Sequence, residues 1–263
     1  MIVAEYIKTL QSYEEYAFSW EEVLEKCNAP ESTIRKELVR LAKKNEIVNL
    51  RKGFYIILPP KFQNLGKLPV QLYIDKLFKY TNKEYYIGLL TAANFHGAAH
   101  QKIQQDFIVT SPPTLRDVEN GNTKLRFIKN VNWPQKNIIT KKSDAGFFNL
   151  SSPALTIADL IHHQNKIGGL NRILANIEEL IDTLEIEDLI ELISWYPHVS
   201  TFQRMGYLFE YLEASEELIG CLENYLESKK YYYITLTPMK GLQVIDTIKK
   251  WKIEINITLE NDL

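Results

Sequence analysis

Residues 19–58 read SWEEVLEKCNAPESTIRKELVRLAKKNEIVNLRKGFYIIL, and their order decides the N-terminal fold. Ser19 followed three residues later by Glu22 is a capping-box pair, so a short helix is expected to begin near Trp20. Asn28, Ala29 and Pro30 end it, because proline has no N–H to donate and restricts the residue before it. A second helix restarts with Ile34, Leu38 and Leu41 on one face at helical spacing. Asn45 is placed to cap its C-terminus. Two short apolar runs, 47–50 and 54–58, follow and are joined by Arg51-Lys52-Gly53, which predicts a two-stranded hairpin with a basic tip. Helix, tight turn, basic helix and basic hairpin form the order of a winged helix-turn-helix. In that motif the second helix enters the major groove and the wing touches the neighbouring backbone.

The distribution of charge points the same way. Residues 1–34 hold two basic and seven acidic side chains, a net −5, whereas residues 35–60 hold seven basic and two acidic, a net +5. The basic charge sits on the elements that would face phosphate. Thr33, Arg35, Lys36 and Arg40 are expected on or near the groove face of the second helix. Lys43, Lys44, Arg51 and Lys52 are expected to contact phosphate. A basic helix by itself is often only a solvated face. The cap, turn and basic hairpin in sequence around this one favour binding to double-stranded DNA.

Outward from this stretch, 263 residues suffice for about two domains. With 45% hydrophobic and 11% aromatic residues, cores are affordable and wholesale disorder is excluded. Two cysteines, Cys27 and Cys221, cannot form a four-cysteine zinc site, and a buried thiol is the ordinary reading of each. The N-terminus reaches Glu5 and Lys8 too early for a signal peptide. No run of 18 apolar residues free of charge suggests a membrane span, so a soluble, cytoplasmic protein without a membrane partner is expected.

Residues 2–13 suit a helix backing the motif, and Tyr16–Phe18 could add a third strand to the wing. Pro59-Pro60 closes the first domain, expected over residues 1–60, and residues 61–68 read as a linker. In the second domain, 69–263, Val70–Tyr80 is helical in pattern and Tyr85–Phe95 reads as a buried helix. Four strands are expected at 106–110, 124–129, 137–141 and 147–150. Helices are expected at 154–162, 170–181, 186–195, 201–212 and 216–226, with strands again at 231–236 and 253–257. Strands first and helices after imply an α+β or mixed α/β fold and no doubly wound sheet. Residues 61–150 carry a net +7 and residues 151–263 a net −9.

Several blocks resemble one family. Residues 85–93 (YYIGLLTAA) with 96–101 (HGAAHQ), then 151–160 (SSPALTIADL) with Gly168-Gly169-Leu170, then 203–210 (QRMGYLFE) and finally 251–256 (WKIEIN) stand in family order. They resemble the AbiEi antitoxins of type IV toxin–antitoxin systems, which are linked with abortive phage infection. The resemblance implies an antitoxin encoded beside a nucleotidyltransferase-fold toxin. Its N-terminal winged helix would repress its own operon through inverted repeats. Its C-terminal domain would neutralise toxicity without a stable complex. Two other readings remain: a winged-helix regulator whose second domain senses a small ligand, and a protein that binds the toxin directly through residues 61–150.

Other residues invite chemistry. His96 and His100 stand at i, i+4, a spacing that can hold a metal. Gly97 occupies the position of the water-activating glutamate, and core-boundary hydrogen bonding is the commoner fate. Adjacent His162 and His163 diverge by about 100° on a helix and cannot chelate as a pair. Gly168-Gly169 before a helix reads better as a turn than as an anion cradle. For Asp159, Arg204 and Glu210 a structural ion pair is expected. Tyr231-Tyr232-Tyr233 could stack bases, though packing against a helical layer explains them more readily. No catalytic triad, metal cluster or cofactor motif stands out, so neither an enzyme nor a cofactor is expected.

Overall fold

The computed structural model describes residues 1–98, 104–239 and 241–260, and their fold is α+β. They divide into two units: Met1–Tyr86 with Gln104–Asn130 and Thr140–Asn149, and Ile87–Ile103 with Val131–Ile139 and Leu150–Leu263.

In the first unit, α1 (Val3–Ser12) buries Val3, Tyr6, Ile7 and Leu10. Strand β1 (Ala17–Ser19) runs into α2 (Trp20–Lys26) through the expected capping box. The Glu22 amide donates to Ser19 Oγ at 3.1 Å, and the Ser19 amide donates to the Glu22 carboxylate at 2.6 Å. Two of the amides a helix start leaves unpaired are satisfied this way. Helix α3 (Glu31–Lys43) turns Ile34, Leu38 and Leu41 inward. Asn45, at φ +56°, then takes the left-handed position that releases a helix into a new direction. Strands β2 (Ile47–Arg51) and β3 (Phe54–Ile57) follow. The three strands form an antiparallel sheet in the order β1–β3–β2, with Ala17 opposite Ile56 and Val48 opposite Ile56 from the other side. Helices and sheet share one core that includes Phe18, Val23, Ile34, Leu38, Ile47 and Ile57. Each such fully buried side chain contributes about 1.5–3 kcal/mol.

Pro59-Pro60 ends the hairpin as expected but also opens a helical turn, α4 (Pro60–Gln63). Proline at the first helical position gives up an N–H that would have no partner there. Over Val70–Tyr80 the expected continuous helix is divided. A 3₁₀ turn at Val70–Leu72 is separated from α5 (Ile74–Thr81) by Tyr73, whose φ is −143°.

The single buried helix expected over Tyr85–Phe95 is corrected. Residues Tyr85–Ile87 form strand β4, and α6 (Leu89–Phe95) starts only after Gly88. The physical reason is composition within an apolar run. Tyr-Tyr-Ile suits a pleated surface, and a run that is apolar on every side carries no period to distinguish strand from helix.

Strands β5 (Asp106–Thr110), β6 (Val118–Asn120), β7 (Thr123–Lys129), β8 (Ile138–Ser143) and β9 (Gly146–Ser151) join β4 in a six-stranded sheet. Its order is β6–β7–β5–β4–β9–β8. The β5–β7 and β4–β9 pairs are parallel and β6–β7 is antiparallel, so the sheet is mixed. Strand β6 was absent from the sequence expectation, because only Val118 of its three residues is buried.

The second unit is mainly helical. α7 (Pro153–His162) is capped by Ser152, whose Oγ accepts from Leu155 N, and every residue from Ala154 to Ile161 is buried. Around it stand α6, α8 (Leu170–Asp182), α9 (Ile186–Trp195) and α10 (Val199–Tyr211), and α11 (Glu216–Glu227) packs on α9 and α10. Asp188 of α9 supplies a second capping contact, accepting from Ala154 N at 2.8 Å. The chain closes on a small sheet of β10 (Ile234–Thr235), β11 (Asp246–Ile248) and β12 (Ile253–Ile255), in the order β10–β12–β11. Among the described residues no helix is long and apolar enough to cross a membrane.

Candidate nucleic-acid interface

Burial of the Ile34–Leu38–Leu41 stripe leaves the opposite face of α3 to solvent. Thr33, Arg35, Lys36, Arg40, Lys43 and Lys44 are all exposed there. The face is not wholly free. Arg35 donates to the Glu31 carboxylate from Nε at 3.1 Å and from Nη2 at 2.5 Å, and its guanidinium lies 4.4 Å from the Trp20 ring centre. Arg40 sits 3.6 Å from Glu37. Exposed pairs of this kind are worth about 0–1 kcal/mol, so a competing phosphate or base edge can displace them. Val39, 55% exposed, lies on the same face between Arg35, Lys36 and Lys43. An apolar side chain there is suited to a thymine methyl. Val39 carries no charge, and its one signal in the sequence is an apolar residue off the buried stripe.

The two basic residues of the hairpin tip differ. Lys52 is exposed. Arg51 is half-buried: its Nη1 donates to the Arg116 carbonyl at 3.0 Å and its guanidinium lies 5.8 Å from the Phe127 ring centre. Burial, and secondarily the positive charge of Arg116, lower its pKa from the usual guanidinium value. Arg51 therefore fastens the hairpin to the strand pair β6–β7. Asn120 reinforces this, donating to the Asn49 carbonyl at 3.0 Å. On the other side the Tyr80 hydroxyl donates to the Lys52 carbonyl at 3.4 Å, and its ring packs on Phe54. Glycine suits position 53 at this turn. Its φ is +76°, and a Cβ would stand 2.6 Å from the Tyr80 hydroxyl. Arg116, exposed beside Arg51, adds a positive charge that sequence reasoning missed because it lies 65 residues away.

Lys76 of α5 reaches the Glu15 and Glu22 carboxylates at 3.0 Å each. It lines a cavity of about 540 Å³ together with Ser19, Phe54, Asp75 and Tyr80.

The remaining candidates resolve as follows. His96 Nε2 lies 2.8 Å from the Ser151 carbonyl, and α6 ends one residue before it. His100 lies outside the described residues. His162 and His163 join His198 in an aromatic cluster: the His162 and His198 rings stack at 4.3 Å, and His163 meets His162 edge-on at 4.6 Å. Burial first, then the neighbouring histidine, lowers His162 to about 4 and His163 to about 3, so the cluster is neutral near pH 7. Both Gly168 and Gly169 have positive φ, as the turn reading requires.

The block 203–210 acquires a clear task. Gln203 Nε2 donates to the carbonyls of Tyr232 at 2.9 Å and Trp251 at 3.1 Å. The expected ion pair of Arg204 is corrected. Its guanidinium donates to the backbone carbonyls of Thr235 (2.8 Å), Leu236 (2.9 Å) and Ser200 (3.4 Å). Burial lowers its pKa to about 10. Glu210 does form a pair, with Lys250 at 2.9 Å, and also accepts from Trp251 Nε1 at 2.6 Å. Gly206 admits the Trp251 ring: a Cβ there would stand 2.2 Å from a ring carbon. One helix face thus bolts the closing sheet in place. The Tyr231–Tyr233 expectation is also corrected, since Tyr232 and Tyr233 are 68% and 49% exposed rather than packed under the helices.

Comparison with known proteins gives the family. Residues 86–211 match the model of the AbiEi antitoxin C-terminal domain. No curated protein matches the chain. Among solved structures, the RV2827C protein from Mycobacterium tuberculosis shares the fold with a TM-score of 0.68 at 13% identity, over 97% of this chain and 91% of that one. An antigenic nucleotidyltransferase-like protein from Paracoccidioides brasiliensis aligns with a TM-score of 0.32 at 11% identity, over 54% of this chain and 89% of that one, a likeness too loose to carry an argument. The matched segment contains most of block 85–101, all of 151–170 and all of 203–210, and through it this chain is identified as carrying an AbiEi antitoxin C-terminal domain.

Proposed function

We propose that the protein is the antitoxin of a type IV toxin–antitoxin system and represses its own operon by binding double-stranded DNA. On this reading residues 1–60 are a winged helix-turn-helix that docks α3 in the major groove of an inverted-repeat operator. Residues 69–263 neutralise a nucleotidyltransferase-fold toxin encoded next to it, without a stable complex and without catalysis. The antitoxin part is supported by the family match over residues 86–211. The DNA-binding part is supported by one observation above the others: the outer face of α3 exposes Arg35, Lys36, Arg40 and Lys43 around Val39, while Ile34, Leu38 and Leu41 are buried on its inner face. Arg35 is the reader of a base edge, Thr33, Lys36 and Arg40 flank it, and Lys43, Lys44 and Lys52 hold phosphate.

Fluorescence anisotropy with duplex DNA from upstream of the gene, against a scrambled duplex, tests this. Arg35→Ala is expected to cost about 1–3 kcal/mol on the specific site and to narrow the specific-to-random ratio. An unchanged ratio would remove Arg35 from base reading, and equal binding to both duplexes by the unaltered protein would remove the repressor function.

A ligand-sensing regulator is the second reading. The 540 Å³ cavity favours it, since Ser19, Glu22 and Phe54 of the DNA-binding segment line it. It predicts that operator affinity changes in the presence of a small molecule, with no rescue of a toxic neighbour.

A further inference from the structure

Basic charge in the C-terminal half is concentrated at one place. Of the nine lysines and arginines between residues 151 and 263, six fall between Lys229 and Lys252, in a half whose net charge is −9. The small closing sheet gathers five of them, Lys229, Lys230, Lys249, Lys250 and Lys252. Because β10 runs parallel to β12, the approach to β10 (Lys229–Tyr233) lies beside the turn that leads into β12 (Lys249–Lys252). Side-chain contacts agree. Lys252 Nζ donates to the Tyr231 carbonyl at 3.2 Å and sits 4.1 Å from the Tyr231 ring centre, and the Tyr231 hydroxyl donates to the Lys250 carbonyl at 3.5 Å.

Two aromatic side chains in this basic setting are exposed. Tyr232 and Tyr233 are 68% and 49% exposed, although their backbone is held firmly by Gln203 on the Tyr232 carbonyl and by Arg204 on the Thr235 and Leu236 carbonyls. Lys230 Nζ lies 6.0 Å from the Tyr232 ring centre. Lys229, Lys230 and Lys249 are exposed and pair with no carboxylate among the described residues. Lys250, by contrast, is engaged by Glu210 and Glu223. A fixed backbone presenting two rings between unpaired ammonium groups matches one kind of occupant, a polyanion that also offers flat apolar faces. Base faces supply the stacking partner and phosphates supply the charge.

We propose that the segment Lys229–Tyr233, with Lys249 and Lys252, is a single-stranded nucleic-acid binding platform separate from the α3 surface. Tyr232 and Tyr233 stack two successive bases. Lys229, Lys230 and Lys249 neutralise the phosphates on either side. Lys252, already over Tyr231, holds the base of the platform. Duplex DNA is excluded because its bases are stacked on one another and unavailable to the rings.

The test uses the full-length protein with fluorescein-labelled oligo(U) and oligo(dT), read by anisotropy, and a scrambled duplex as competitor. Binding to the single strands is expected to survive excess duplex and to weaken at least about tenfold in Tyr232→Ala/Tyr233→Ala, as loss of base stacking implies. Tyr232→Phe/Tyr233→Phe should retain it, since the ring faces remain. Lys229→Ala/Lys249→Ala should weaken it and flatten its salt dependence. Arg35→Ala/Arg40→Ala on α3 should leave it unchanged, and this separates it from the operator site. Tighter binding of oligo(U) than oligo(dT) would assign the platform to RNA, and the reverse to single-stranded DNA. The proposal is overturned if neither oligonucleotide binds, or if binding is lost through the α3 substitutions and not the tyrosines. It is equally overturned if the tyrosine pair instead abolishes a concentration-dependent dimer, which would make the patch an interface between copies. The tyrosine side chains project into solvent, so circular dichroism of each variant is expected to match the unaltered protein.

Discussion

Arg51 and Lys52 are neighbours of the same charge with different surroundings, and the difference has consequences. Arg51 spends its guanidinium on the Arg116 carbonyl and the face of Phe127. Lys52 offers only its carbonyl to Tyr80 and leaves its ammonium in solvent. Arg51→Ala is therefore expected to lower stability by about 1–2 kcal/mol through a lost hydrogen bond and a lost cation–π contact. Lys52→Ala should leave stability alone, weaken binding to all duplexes alike and reduce the slope of log affinity against log salt by about one. Urea unfolding and a salt titration of DNA binding measure the two effects. If Lys52→Ala changed sequence discrimination instead, its contact would be with a base and not with phosphate. Sequence alone marked both residues as basic. The distinction depends on Phe127 and Arg116, which the fold brings to the hairpin from far along the chain.

At the scale of elements, the most telling contact is between α10 and the closing strand. Gly206 leaves the space that the Trp251 ring occupies, and Glu210 one turn later receives its indole N–H. Gly206→Ala would otherwise have gained helix propensity, by up to about 1 kcal/mol. Here it is expected to destabilise by about 1–3 kcal/mol, because the added methyl overlaps a buried aromatic ring. The readout is the thermal unfolding midpoint, accompanied by a change in tryptophan fluorescence; a raised midpoint would contradict the packing. Such elements also show what could be read in advance. The capping box at Ser19, the stripe Ile34–Leu38–Leu41 and the five helices after Pro153 were legible because each carries a local signal, a cap or a period. Where the signal was absent the reading failed. Tyr85–Phe95 is apolar throughout and hides the change from strand to helix at Gly88. Strand β6 has one buried residue and so no alternation. Arg204 looked like half of an ion pair, because sequence cannot show that backbone carbonyls from residues 235 and 236 converge on it. The exposed face of α3 was legible in its charged members and not in Val39. The exposure of Tyr232 and Tyr233 was not legible at all, since aromatic residues beside a strand are ordinarily buried.

At the scale of the whole molecule, the first unit includes residues 1–86 together with strands drawn from 104–130 and 140–149. Arg51 and Asn120 tie the hairpin to the segment 104–130, and Tyr80 ties it to α5. Removing the N-terminal residues would strip partners from the remainder of this unit, so point substitutions are the better way to separate the two tasks. The most direct measurement is co-expression with the adjacent gene proposed to encode the toxin, using the full chain and an Arg35→Ala/Arg40→Ala/Lys43→Ala variant, while a reporter follows the promoter upstream. We expect both proteins to restore growth and only the unaltered chain to silence the reporter. Restored growth with full repression by the variant would contradict the assignment of α3 as the operator reader. Failure of the unaltered chain to restore growth would contradict the antitoxin function itself.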